Sequence, residues 1–343
     1  MMENNTIRVN ALPTLTWHRL HVNACKTEPY TPVKPCTVQT VSENGVAAVS
    51  ALEPCTDCSA VETGVGRNVD NLFQWGMTVT VPENGSDTLR MEIGSEDGGD
   101  CAAFVHVQAE AGSELTLVQI WKADASHAAL RTVIRAEAGA IVRLVQILAD
   151  ASAECINDVG CVTGEKASFE VIRLYLAQGN GFPTSTDLAG NGSSFTCKSG
   201  YLVSRQKLDM NVIANHIGKN TQSDIQADGT LYDGAEKAFR GTIDLKRGCA
   251  GSRVRKKKTC PLGDDVVNKT IPLILCTEED VKGSHGASIG ELEQGMLFYF
   301  EARGISKSEA EKIVAKARLE KLCQETADEK AAEYMHRKIE EVI

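Results

Sequence analysis

The chain has 343 residues, a formal net charge of −10, 12 cysteines, 29 glycines and only 5% aromatic residues. Such a length buries a substantial core, the negative field opposes binding to nucleic acid phosphates, and no apolar run is long enough to span a bilayer. Plentiful glycine with few aromatics suits many short strands joined by tight turns, and a chain of this size without an export signal is expected in the cytoplasm with its thiols reduced.

Residues 1–80 read as an irregular, partly helical region. Residues 16–23 form either helical turns or an extended arm, and Pro29, Pro32 and Pro35 keep the following chain irregular. On a helix, His18 and His21 would share a face and Cys25 would follow one turn on, a spacing that suits a metal. Two solvated histidines on an arm are the plainer reading. Cys55-Thr56-Asp57-Cys58 has the spacing of half a zinc ribbon or of a thiol-disulfide motif, but no second pair follows and Pro54 sets it in irregular chain.

The segment 105–176 repeats. Val107-Gln108-Ala109-Glu110-Ala111-Gly112 and Ile134-Arg135-Ala136-Glu137-Ala138-Gly139 are near copies, and each leads into Leu-Val-Gln-Ile, at Leu117 and again at Leu144, 27 residues apart. A third unit places Val171 a further 27 residues on. Each unit holds two short apolar runs separated by a glycine-containing turn. It cannot bury both alone, so the fixed period predicts stacked coils of a solenoid rather than the hairpins of a sandwich. Glu110 and Glu137 take equal coil positions, which keeps a carbohydrate-active β-helix enzyme as a distant alternative.

Residues 178–197, rich in Gly, Ser, Asn and Thr, read as a loop that interrupts the column; strand-like alternation returns in 231–245 and 271–275. The run Arg253-Val254-Arg255-Lys256-Lys257-Lys258 has no interleaved aromatic ring for base stacking and reads as a strand or hairpin edge blunted by charge. Past residue 290 the pattern turns helical. Residues 291–303 carry Leu292, Met296 and Phe300 at helical spacing and end at Gly304. Ser306 with Glu309 makes a capping box for a second helix, with Ala310, Ile313, Val314 and Ala317 on its apolar face. Thr326 with Glu329 makes another for a third, faced by Ala332, Met335, Ile339 and Val342.

Few residues offer chemistry. His285 lies among glycines and small residues, and a neutral imidazole is a ligand suited to ferrous iron. Cys276, or Cys249 with Cys260, could add soft ligands, although buried inert thiols are the commoner fate. His216 is expected to anchor the column. His106, His127 and His336 show no ligand spacing, and neither a phosphate-binding loop nor a nucleophile elbow occurs.

The stretch Val281-Lys282-Gly283-Ser284-His285-Gly286-Ala287-Ser288-Ile289-Gly290, with Gly295-Met296-Leu297-Phe298-Tyr299-Phe300 and Ala302-Arg303-Gly304-Ile305-Ser306 after it, resembles the SufB/SufD family of iron-sulfur cluster assembly proteins, SufD above all. Leu208-Asp209, His216, Thr221, Ser223 and Phe239-Arg240-Gly241-Thr242-Ile243 continue the likeness upstream, and Val9-Asn10-Ala11-Leu12-Pro13 with Thr16-Trp17 is similar to a SufD start. The resemblance implies a right-handed parallel β-helix over 81–290 and a helical docking domain over 291–343. It implies a scaffold rather than an enzyme, with a SufB-like partner met by the last coils and His285, and a SufC-like ATPase docked around Phe298, Tyr299, Arg303 and Gly304. No permanently bound cofactor is implied, only iron or an iron-sulfur cluster held in transit. A cysteine common in the family two residues before the histidine is replaced by Gly283. The alternative within the family is a SufB-like or homodimeric scaffold that itself holds the nascent cluster. Nucleic acid and membrane are not expected partners.

Overall fold

The computed structural model describes residues 7–14, 21–27, 36–51, 73–95, 100–123, 127–149, 154–176, 179–258, 265–285 and 294–343. Two nine-stranded sheets face each other across one interior, and from Trp75 onward successive strands of the chain alternate between them. The even strands run from β6 (Ser86–Ser95) through β8 (Glu114–Ala123), β10 (Ile141–Leu148), β12 (Ser168–Tyr175), β14 (Ser194–Ser204), β16 (Gln222–Tyr232) and β18 (Ser252–Lys258) to β20 (Val281–His285). The odd strands run from β5 (Trp75–Val81) through β7 (Cys101–Ala109), β9 (His127–Ala136), β11 (Glu154–Thr163), β13 (Gly179–Leu188), β15 (Lys207–His216) and β17 (Glu236–Leu245) to β19 (Val267–Cys276). Neighbours within each of these two series are parallel, so each coil contributes one strand to each sheet. This is the parallel β-solenoid that the period predicts. Leu117 pairs with Leu144 and Leu144 with Val171, so the 27-residue repeat is the register of the even sheet.

The chain enters the column against its grain. β3 (Cys36–Ser42) pairs antiparallel with β6 and β4 (Ala48–Ala51) antiparallel with β5, capping the first coil on both sheets. Before them, β1 (Ile7–Val9) and β2 (Cys25–Thr27) make a short antiparallel pair.

Side chains alternate, so each strand presents one row of side chains inward and another outward. The inward rows, including Leu115, Leu117, Val142, Leu144, Phe169 and Val171, fill the interior. A polar band crosses that interior. Gln119 and Gln146, the glutamines of the repeat, bond to each other at 2.7 Å, Gln119 also reaches Thr132 at 3.0 Å, and Arg173 donates to Gln146 at 2.7 Å and to Thr184. Thr184 lies in the segment 178–197 expected to be a loop. That expectation fails: β13 and the start of β14 run through it, with one register shift between Asn180 and Phe182. The reason is that small hydroxyl side chains serve the polar band as inward residues, so a polar composition does not mark a loop here. The basic run is corrected too, because β18 is paired on both sides, to β16 and β20, and is not an edge.

A ladder of left-handed residues turns the coils. Asn84, Gly112, Gly139, Lys166, Gly192, Asn220 and Gly251 all have positive φ. Each donates its backbone N–H to the next coil, for example Gly112 to Ala138 at 2.9 Å and Gly139 to Glu165 at 2.8 Å. At a neighbouring turn position the backbones stack so closely that a Cβ on Gly190 would lie 2.0 Å from the carbonyl carbon of Gly164. Glu110 and Glu137 occupy the equivalent position in earlier coils, but Gly164 follows them, so their row is two carboxylates long.

The C-terminal helices are α1 (Gln294–Glu301), α2 (Lys307–Gln324) and α3 (Glu329–Val342). Ser306 and Glu309 form the expected capping box on α2. The box expected at Thr326 and Glu329 is absent. Asp328 caps α3 by accepting from the Ala331 N–H at 2.7 Å, while Thr326 is drawn back to donate to the Leu322 carbonyl at 3.0 Å. The apolar faces shift as well. α2 buries Ala310, Ala315, Leu319, Leu322 and Cys323 and leaves Ile313 exposed, and α3 buries Ala331, Met335 and Ile339 but not Val342. The column decides this, because these side chains pack on the outward row Val118, Val145, Ile172 and Leu202 of the even sheet. Gly200 permits the approach, since a Cβ there would lie 2.7 Å from Leu322. Burying Leu319 and Leu322 stabilises this docking by about 1.5–3 kcal/mol each.

Candidate functional site

Two features stand out against this closed body: the free end of the column and the helix next in the chain. Among the described residues, β19 and β20 are the last strands of their sheets. In register, Ile243 of β17 lies opposite Ile274 of β19 and Leu245 opposite Cys276. Ile243 and Leu245 are buried, whereas Ile271, Leu273, Ile274 and Leu275 are half-buried and Cys276 is exposed. A half-buried apolar strand at the end of a sheet has the chemistry suited to pairing with another chain.

The expected thiols meet at the turn that closes this last coil. Cys249 is buried in the turn before β18, and burial pushes its thiol up, with further upward pressure from Glu278 and Cys276 nearby. Cys276 donates to the Glu278 carbonyl at 3.0 Å, and the Glu278 carboxylate accepts from the Gly248 N–H at 2.8 Å. That bond and a second from the Glu279 N–H hold Glu278 below the usual carboxylate range. Among the described residues no group of three metal-binding side chains forms. Cys260 lies outside the described residues, as do Cys55, Cys58 and His18. His285 ends β20, opposite Lys256, four residues beyond the strand's start at Val281 and hence about 13 Å from the thiol turn along the strand. The fold therefore sets His285 and the Cys249–Cys276 turn at opposite ends of the last strand.

His216 is fully buried two coils back. Its Nδ1 lies 2.7 Å from the Thr221 hydroxyl and its Nε2 2.8 Å from the Ser223 hydroxyl, so both nitrogens are engaged, and burial pushes it down to about 4. It anchors the column as expected. Cys25 lies on β2, so a helical face with His18 and His21 does not extend to it.

α1 is short and turns apolar rings outward. Phe298 is 72% exposed and Tyr299 54%, with Met296 exposed beside them. The Arg303 guanidinium lies 3.8 Å from the centre of the Tyr299 ring, and Gly304, at φ +79°, turns the chain toward α2. Two aromatic rings left in water next to a stacked cation make a compact exposed aromatic patch.

The SufBD core domain of SUF system FeS cluster assembly matches residues 92–318, well over half of the chain. The chain belongs to the SufBD family. Among curated SufBD relatives, the iron-sulfur cluster assembly protein SufD of Bacillus subtilis is 29% identical over 133 residues, 38% of this chain and 30% of that protein. A SufBD family protein of Synechocystis is 30% identical over 132 residues, 38% of this chain and 27% of its own length, and one from Mycobacterium tuberculosis is 30% identical over 119 residues, 34% of this chain and 14% of its own. The chain thus spans less than a third of the curated relatives it matches.

Other features of this SufBD chain are not visible in sequence reasoning. Arg131 and Asp158, facing each other on β9 and β11, form a fully buried ion pair on the outer face of the odd sheet. Asn10 binds Asp209 at 2.5 Å, and Arg240 joins Asp209 and the Val22 carbonyl, so the N-terminal segment is fastened to the column. The period carries a signal for the first pair, since 27 residues separate Arg131 from Asp158. A cavity of about 100 Å³ under the same N-terminal segment is lined by His21, Lys207, Asp209, Glu236 and Arg240. Lys207–Glu236 and Arg240–Asp209 pairs line it, and the second of these makes it part of the fastening. No helix among the described residues is long and apolar enough to cross a membrane.

Proposed function

We propose that this chain is a SufD-like scaffold subunit of the SUF iron-sulfur cluster assembly machinery, a binding protein rather than an enzyme. The last coil pairs with the column of a SufB-like subunit, and the aromatic patch of α1, with Phe298, Tyr299, Arg303 and Gly304, docks a SufC-type ATPase. Iron or a nascent cluster is cargo, gathered at the shared interface with His285 as the ligand or gate from this side. The observation that carries the reading is the pairing of an open, half-buried terminal coil with exposed aromatic rings on the next element of the chain. ATP-driven movement of the docked ATPases would shift the two scaffolds and open the interface. The likeness to Bacillus SufD supports the SufD-like role. A second reading, a SufB-like or homodimeric scaffold that holds the cluster itself, draws on the exposed Cys276 beside Cys249.

Anaerobic co-purification with SufB-like and SufC-like partners tests this. Wild type and His285→Ala both assemble, and the variant retains less iron; Phe298→Ala with Tyr299→Ala loses the ATPase while keeping the SufB-like subunit. Failure of any complex to form overturns the scaffold role. Loss of cluster in Cys276→Ser but not in His285→Ala favours the second reading.

A further inference from the structure

At the opposite end of the column from the open coil, two thiols from distant parts of the sequence meet. Cys36 opens β3 and Cys101 opens β7, and both belong to the same buried cluster. The two strands touch, and each thiol lies near enough to act on the other. The meeting is a product of topology. Cys101 stacks through Ala128 on Cys155 along the odd sheet, but Cys155 is two strand spacings away, about 9.6 Å, too far for a sulfur–sulfur bond. β3 folds back antiparallel onto β6, with Cys36 opposite Ser95, and so brings a second thiol to Cys101.

We propose that Cys36 and Cys101 are a redox modification site, a dithiol that closes to a disulfide by exchange with a low-molecular-weight disulfide and so fastens the entry strand to the first coils.

Cys101 is the attacking group. The Cys36 thiol and Ser95 both donate to its sulfur, which holds it below the usual thiol range, while the same bond and burial push Cys36 up. Access comes through β3, whose outward residues after Cys36 are largely exposed and which, among the described residues, is the terminal strand of its sheet. Fraying of a terminal strand is a local opening, much cheaper than unfolding the column. The Cys101 thiolate attacks one sulfur of the small disulfide, forms a mixed disulfide and expels a small thiolate. That thiolate takes the Cys36 proton. The Cys36 sulfur then attacks Cys101, the mixed bond breaks and a second small thiolate leaves. Two protein thiols are oxidised to one disulfide, and one small disulfide is reduced to two thiols.

The test exposes the full-length, fully reduced protein to glutathione disulfide and maps thiols under non-reducing conditions. The expected result is a peptide pair joining Cys36 to Cys101 with no glutathione retained on either, and a melting temperature raised by about 5 °C that dithiothreitol reverses. In Cys36→Ser, glutathione stays trapped on Cys101. Wild-type protein in which Cys36 and Cys101 remain fully alkylatable after the exposure, or in which Cys101 keeps glutathione beside an intact Cys36 thiol, overturns the proposal. The wild-type map decides the matter by itself, so a variant that fails to fold does not protect the idea.

Discussion

The middle coils and the last coil obey the same register yet end in different states. In the middle, Leu144 and Val171 are buried inward, Val145 and Ile172 on the other face of the same strands are covered by α2 and α3, and Val133 and Ile156 of the opposite sheet pack in a cluster with Val9 from the N-terminal segment. In β19, four apolar residues in equivalent rows are only half-buried. Among the described residues, the chain covers one part of its column and leaves the other half-buried. Repetition alone produces a stackable unit; whether a given coil becomes core or interface depends on which non-repeating segment reaches it.

The sharpest contrast pairs Ile243 with Ile274, which are opposite one another in register. Ile243→Ala removes a fully buried side chain and is expected to cost about 2–5 kcal/mol in urea unfolding of the isolated chain. Equal losses for Ile243→Ala and Ile274→Ala would erase the distinction between core coil and interface coil.

His216 offers the next largest effect. The folded chain holds its ring neutral, with a value near 4, while the unfolded chain takes up a proton near 6.5. Protonation therefore favours the unfolded state progressively as pH falls from about 6.5 to 4, and stability present above that window declines by on the order of 3 kcal/mol. Urea midpoints across this range should drop in wild type and flatten in His216→Gln. An unchanged slope in the variant would assign the acid sensitivity elsewhere.

Ile274→Ala should cost no more than about 1 kcal/mol in the isolated chain, because water already reaches the side chain. Its larger effect is expected on capture of a SufB-like column in a pull-down. Smallest of all, Phe298→Ala is expected to shift stability by within about 0.5 kcal/mol, since the ring is 72% exposed, while abolishing ATPase capture. A strongly destabilised Phe298→Ala would mean that α1 is part of the body and not a docking element.

The sequence makes the column legible because a period of 27 residues is also its pairing register, and the capping box at Ser306 is a local signal read locally. Segment 178–197 misleads for a physical reason. Inside a β-solenoid, threonine and serine can face inward when a polar band such as Gln146 and Arg173 receives them, so hydrophilicity and exposure part company. Helix faces mislead because helical spacing alone does not say which side meets the sheet; Ile313 fits an apolar stripe on α2, but the sheet lies against Ala315 and Leu319. Of the site, the exposed aromatics and His285 stand out in sequence, whereas the meeting of Cys249 with Cys276, and of Cys36 with Cys101, depends on returns of the chain that no local pattern encodes.

One consequence belongs to the order in which the chain is made. Coils form from near neighbours, and each can settle on the last as it emerges during synthesis. Yet Lys330 of α3 binds Glu43 at 2.9 Å, 287 residues away, and Asp328 binds Arg90 of the first coils. The row Val118, Val145, Ile172 and Leu202 stays uncovered until α2 and α3 arrive. The helices that follow the coils in the chain thus close a latch onto the first coils formed, converting a stack that could unzip from either end into a body that melts as one.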